Sequence, residues 1–126
     1  ETLRECRGEY VALLEGDDYW IHPEKLARQV KYLDDHPEVS QCFHPVRFLK
    51  RDGTYSDAAP TFPADKEFYT TDELIYPHLV STCSVVSRND RATELADWVE
   101  GMPGGDWIRT VFHSTRGPVA CLPQVM

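Results

Sequence analysis

Short apolar runs alternate along the chain with stretches of helical period. Residues 9–15, EYVALLE, form an apolar run closed by Gly8 and Gly16. An apolar run of that length between glycines predicts a buried strand. Ahead of it, ETLRECR places Leu3 and Cys6 at helical spacing and reads as the end of a helix. Next comes HPEKLARQVKYLDDHP, an amphipathic helix by its period. Pro23 suits the first helical position, Glu24 suits the positive end of the helix, and Pro37 closes the segment. Leu26, Val30 and Leu33 share one face, with Lys25, Lys31 and Asp34 expected to face water.

VSQCFHPVRFLK (39–50) has strand character, and Pro45 predicts an edge or bulged strand. Asp52-Gly53 is a hairpin signal. Residues 56–69 form a long loop containing Pro and Asp, of a length more often functional than accidental. TTDELIYP carries a capping box from Thr70 to Glu73 and predicts a short helix. A strand over 79–88, a helix over 89–101, a turn at MPGG, a helix in DWIRTVFHSTRG and a last strand in PVACLP complete the pattern. Asp106 is the expected N-cap of that last helix and Gly117 its C-terminal stop. Alternating strands and helices predict a layered α/β fold, in which ligands bind outside the carboxyl ends of strands.

Composition narrows the function classes. A chain of 126 residues suits one domain. Acidic residues outnumber basic ones 21 to 13, a formal charge of −8, which argues against a nucleic-acid partner. No apolar run approaches the ~20 residues needed to cross a bilayer, and no secretory leader pattern opens the sequence. Cys6, Cys42, Cys83 and Cys121 contain no C-x-x-C pair. They read as reduced thiols, three of them in strand-like apolar runs, in a cytoplasmic protein.

The candidate chemistry gathers at two places. Glu15, Asp17 and Asp18 crowd a strand end in LEGDDYW. Such carboxylates repel unless water screens them or a cation sits between them. Mg²⁺ is held by one or two carboxylates plus substrate phosphates, which this spacing suits. A strand-exit turn explains the same residues, and on spacing alone it is the commoner use of Gly-Asp. Asp106 in GGDW is a general-base candidate on a helix N-terminus, where the dipole favours the charged carboxylate; a structural cap is the alternative. Tyr19 and Trp20 could stack on a sugar or base, or fill the core. The five histidines show no ligand spacing, and His44 in a strand is the one best placed to reach a site. Arg88 and Arg109 could meet phosphates, though solvent-facing or ion-paired positions suit them as well.

Taken in order, GEYVALLEGDDYW, HPEKLARQVKYLDDHPEV, CFHPVRF, STCSVVSR and GGDWIRTVFHSTRGPVACLPQVM resemble the inverting family 2 glycosyltransferases with a GT-A fold. The resemblance implies an α/β, Rossmann-like mixed sheet flanked by helices, with the N-terminal nucleotide-binding strands of the family (~80–90 residues by domain-size priors) missing. Residues 1–126 would form one domain, the metal and acceptor half of the catalytic unit. EGDD stands at the family's D-x-D motif. Asp17 would coordinate Mg²⁺ or Mn²⁺ on the donor diphosphate with Asp18 in support, and Glu15 replaces the Asp that meets the donor's ribose side. Asp106 would be the general base, with Trp20, Ser84 and Trp107 on the acceptor side.

The chemistry so implied is transfer of a sugar from a nucleotide-diphosphate sugar to a saccharide, lipid-linked or protein acceptor, at the inner face of a membrane or in the cytoplasm. Attack by the acceptor oxygen needs a base, and the leaving diphosphate needs charge stabilisation. The Q-x-x-R-W pattern of processive synthases is absent from 107–126, which favours single-sugar transfer. An exposed sheet edge would invite self-association. Two other readings stand beside this one. The first is a non-catalytic α/β assembly module. The second is a glycosidase pairing Asp17 or Asp18 with Asp106, which a clustered acidic trio suits less well than it suits a metal.

Overall fold

The computed structural model describes residues 5–57, 63, 66–75, 80–89 and 104–126. In chain order the elements are β1 (Tyr10–Ala12), α1 (Lys25–Asp35), β2 (Gln41–Phe43), β3 (Arg47–Leu49), β4 (Tyr55–Asp57), β5 (Phe68–Tyr69), α2 (Thr71–Ile75), a 3₁₀ turn (Thr82–Ser84), β6 (Val86–Arg88), α3 (Gly105–Ser114) and β7 (Val119–Cys121). The helix expected over 89–101 lies, apart from Asn89, outside the described residues, as do residues 1–4 of the expected first helix. No helix among the described residues is long and apolar enough to cross a membrane.

A five-stranded sheet runs β1-β6-β2-β7-β5, and β3 pairs β4 in a separate two-stranded hairpin. β6 is antiparallel to both β1 and β2, while β2 and β7 are parallel. The sheet is therefore mixed and flanked by helices, the α/β architecture the pattern predicts. Neighbouring residues of a strand point to opposite faces. Phe43 accordingly joins Tyr69, Leu74, Val80, Val85, Val119 and Cys121 in one apolar cluster. Cys42 joins Leu33, Val39, Val86 and Ala120 in another. With both faces covered, β2 and β7 are buried at every position.

Several expectations are corrected. β2 is the middle strand of its sheet, not an edge. It stops at Phe43, so Pro45 falls between β2 and β3, where it removes no ladder hydrogen bond. The run 79–88 is not one strand, because the 3₁₀ turn interrupts it ahead of β6. α1 begins at Lys25 with Glu24 as its N-cap, so Pro23 precedes the helix. Its buried row is Lys25, Gln29 and Leu33 rather than Leu26, Val30 and Leu33; Leu26 is 40% exposed. Both rows have helical spacing, and the Lys25 row is the one on which Gln29 meets carbonyls of β2 and of the 3₁₀ turn. α3 is capped by Gly104 at φ +80°, and Asp106 lies inside the first turn rather than at the N-cap.

Other expectations hold. Glu73 accepts bonds from the Thr70 amide and hydroxyl, both 3.0 Å; the amide bond is the carboxylate's half of the capping box. Asp52 and Gly53 turn the β3–β4 hairpin, with Gly53 at φ +83° and the Thr54 amide donating to Asp52 Oδ1 at 2.9 Å. None of Cys6, Cys42, Cys83 and Cys121 is in a disulfide.

Arg88 has a role the sequence did not suggest. Its guanidinium donates to the carbonyls of Val39 (2.8 Å), His36 (3.1 Å) and Leu33. A cation there adds charge-assisted bonds to carbonyls at and just beyond the C-terminal end of α1, where the helix dipole favours positive charge.

Candidate active site

The acidic residues leave β1 as a turn closed by the Asp18 amide, which donates to the Glu15 carbonyl at 3.2 Å. Glu15, Asp17 and Asp18 are exposed. Among the described residues the Asp17 carboxylate makes no hydrogen bond or ion pair. Asp18 lies beside the Cys83 thiol, and its charge adds to the burial that holds the thiol protonated. Trp20, two residues on, donates its indole N–H to the Cys83 carbonyl at 2.8 Å.

Cys83 belongs to the 3₁₀ turn. That turn closes on itself through the Ser84 amide to the Ser81 carbonyl (3.0 Å) and the Val85 amide to the Thr82 carbonyl (3.1 Å). The Ser84 hydroxyl adds a bond to the Ser81 carbonyl at 2.7 Å. Ser84, expected on the acceptor side, is 0% exposed, and its hydroxyl serves the turn. From below, the Gln29 amide donates to the Ser84 carbonyl (2.9 Å) and to the Cys42 carbonyl (3.3 Å).

The other end of the turn holds the second acidic site. Thr82 Oγ1 donates to Asp106 Oδ2 at 2.9 Å. Adjacent residues of one turn thus contact Asp18 and Asp106, which are remote in sequence. Asp106 is half-buried at the positive end of α3. Arg109, Thr110 and His113 follow it on the same helical face and line a small cleft with Gln41 and Ser87. Among the described residues the cleft measures about 10 Å³, room for about one water. Trp107 turns elsewhere, its indole donating to the Leu74 carbonyl of α2 at 3.0 Å.

His44 does not reach this site. It is 2% exposed, and its Nδ1–H donates to the Pro45 carbonyl at 2.9 Å. Burial pushes its pKa down to about 4, so the ring is neutral. The thiols shift the other way: burial, with the Asp18 charge adding to it, pushes Cys83 up to about 11. Cys83 is a protonated thiol near neutrality, neither a thiolate nucleophile nor a thiolate ligand.

Among the described residues no three His, Cys, Asp or Glu side chains converge as a metal cage. The donors present are the hard carboxylates of Asp17 and Asp18. These fit a hard divalent cation only where phosphate oxygens and water complete its shell, the usual arrangement for Mg²⁺.

Thr82, Cys83, Lys25 and Gln29 belong to the site's framework and went unread in the sequence. The Ser-Thr-Cys-Ser cluster did carry a signal: hydroxyl side chains inside an apolar run favour local turns. For Lys25 and Gln29 the sequence carries none.

Comparison with known proteins bears on this geometry. The family pattern described as glycosyl transferase family 2 matches residues 1–92. An uncharacterized protein of Mycobacterium tuberculosis is 41% identical over 126 residues, all of this chain and 36% of the relative, and a Mycobacterium bovis protein matches equally. A protein of Methanocaldococcus jannaschii described as an uncharacterized glycosyltransferase is 21% identical over 116 residues, 88% of this chain and 39% of its own length. The chain thus spans about a third of the length of its mycobacterial relatives.

Proposed function

The chain belongs to glycosyl transferase family 2, and from that membership we propose that it supplies the diphosphate-metal and acceptor side of a site that transfers a sugar from a nucleotide-diphosphate donor to a hydroxyl group with inversion. One observation carries the reading. The Thr82–Ser84 turn holds Asp106 through the Thr82 hydroxyl and meets Asp18 through the Cys83 thiol. A cation-binding carboxylate pair and a separate carboxylate base are the two functions that such a transfer needs at neighbouring points.

In this reading Asp17 and Asp18 face the donor diphosphate and would hold Mg²⁺ or Mn²⁺ together with its oxygens. A bound divalent cation would supply Lewis-acid stabilisation of the charge that builds on the departing diphosphate. Asp106 accepts the acceptor hydroxyl's proton as its oxygen attacks the anomeric carbon. Thr82, donating to Oδ2, fixes the orientation of the carboxylate. A single displacement from one face inverts the anomeric centre. Glu15 stands toward the donor's ribose, and Trp20 borders the acceptor region, while Trp107 is turned to α2.

The test has two arms. Calorimetry of this chain with Mn²⁺ and pyrophosphate is expected to give binding that Asp17→Ala abolishes; equal binding by both proteins removes the metal role. In the longer protein, Thr82→Val is expected to lower kcat for transfer about tenfold, the worth of a ~1.5 kcal/mol charge-assisted bond. Acceptor KM should be little changed and Thr82→Ser should restore the rate. Unchanged kcat in Thr82→Val removes Asp106 as the positioned base. Self-association through the open side of β1 belongs to the same proposal, and a monodisperse monomer in sedimentation at high concentration removes it.

A further inference from the structure

α1 buries a lysine. Lys25 is 1% exposed. Its ammonium donates to Gln29 Oε1 at 2.7 Å and lies 4.5 Å from the centroid of the Trp20 ring. Among the described residues no carboxylate pairs with it. The titratable groups facing it are Cys42 of β2, Cys83 of the 3₁₀ turn and His44 just past β2. Burial keeps all three neutral near pH 7, with Cys42 pushed up to about 12, Cys83 up to about 11 and His44 down to about 4. An ammonium buried without an anion is costly, and a perturbed charge of this kind is a functional candidate when it adjoins a site.

What Lys25 touches leads to the site by two routes. The Trp20 indole N–H donates to the Cys83 carbonyl, and the Gln29 amide donates to the Ser84 carbonyl. Both side chains that receive the ammonium therefore grip consecutive carbonyls of one turn. The far side of that turn carries the Cys83 thiol against Asp18 and the Thr82 hydroxyl on Asp106. Trp20 is also close to Asp18 in sequence, so the seat of its ring constrains the acidic turn directly.

We propose that Lys25 is a positioning residue: its buried ammonium locks Trp20 and Gln29 against the Thr82–Ser84 turn and thereby sets where Asp17, Asp18 and Asp106 stand. Its relevance to catalysis rests on the function proposed above; the mechanical coupling does not. A Lys25 that merely filled space would pass no signal to the acidic turn when it loses its proton. A locking Lys25 would, because a neutral amine gives up the attraction to the Trp20 ring.

The test follows that signal in this chain by ¹H–¹⁵N NMR. The wild type should show three indole peaks, for Trp20, Trp98 and Trp107, to be assigned with single Trp→Phe variants. The Trp20 indole and the Asp17 and Asp18 amides are expected to titrate together with a midpoint near the pH of about 8 at which burial places Lys25. In Lys25→Met all three should be flat through that range. A Trp20 indole that stays still in the wild type, or acidic-turn amides that do not follow it, overturns the proposal without recourse to any variant. In parallel, Mn²⁺–pyrophosphate affinity is expected to fall on the order of tenfold in Lys25→Met. Equal affinity in the two proteins shows that the coupling does not reach the binding groups and overturns the positioning role. If neither protein binds Mn²⁺–pyrophosphate, the diphosphate-metal reading fails by itself, and the NMR titration decides the positioning role.

Discussion

Replacing Lys25 with Met is expected to make the protein more stable at neutral pH. Burial lowers the Lys25 pKa from 10.5 to about 8. Each unit is worth 1.36 kcal/mol, so the folded state disfavours the charged form by about 3 kcal/mol. Met removes that cost and fills similar volume, but it leaves Gln29 Oε1 without its donor, worth about 1–2 kcal/mol. The net gain at pH 7 is about 1–2 kcal/mol, roughly 4–8 °C in Tm for a domain of this size. The sign with pH follows from linkage. The folded pKa lies below the unfolded one, so between about pH 8 and 10.5 the unfolded chain binds more protons. Wild-type stability then gains a contribution as pH rises through that window, which the Met variant lacks. Urea unfolding of both proteins at intervals from pH 7 to 10.5 should show the variant ahead at pH 7 and behind at the alkaline end. A stability difference that stays constant with pH refutes the reasoning, as does a variant less stable at pH 7. The expected result sets stability against site geometry, the trade-off common where a strained or costly group serves function.

Gly117→Ala should be destabilising for a different reason. A Cβ there would sit 2.3 Å from the Glu38 carbonyl oxygen and 3.4 Å from the Ser40 nitrogen, both backbone. The bond from the Ser40 amide to the Pro118 carbonyl (3.1 Å) and that from the Ser40 hydroxyl to the Gly117 carbonyl (3.0 Å) are displaced with it. A loss of about 2–4 kcal/mol is expected in urea unfolding; a loss below 1 kcal/mol would mean the chain at Glu38 yields freely. Glu73 gives an acid-side prediction. The hydrogen bond from Lys66, then those from the Thr70 amide and hydroxyl, hold its carboxyl down at about 2 from the ordinary 4.5. Its contribution is present above pH 4.5 and lost as pH falls through about 2. Glu73→Gln should flatten stability over that interval, and an unchanged acid limb would place the acid sensitivity elsewhere.

The acidic turn and the capping box were legible because their signals are local. Gly16 and the carboxylates of Glu15, Asp17 and Asp18 mark a strand exit whatever surrounds them, and Thr70 and Glu73 bond within one turn of backbone. The face of α1 was not legible. Its Leu26 and Lys25 rows satisfy the same helical period, and hydrophobicity favours the wrong one. The row that packs inward is that of Lys25, on which Gln29 meets the Ser84 and Cys42 carbonyls. Asp106 shows the same limit from another side. Its position at a helix start was readable, but its partner is Thr82, in a different element.

By itself the sequence determined the alternation of strands and helices, the carboxylates at the end of β1, the carboxylate at the start of α3, and the ordered motifs that mark the family. These rest on spacing along the chain and on hydrogen bonds a few residues long. The tertiary structure alone decided that Asp18 and Asp106 contact adjacent residues of one turn, that β2 is a middle strand, and that a lysine lies beneath the site. Each of these depends on contacts between residues distant in sequence, which only the pairing of β1 with β6 and of β6 with β2 brings together.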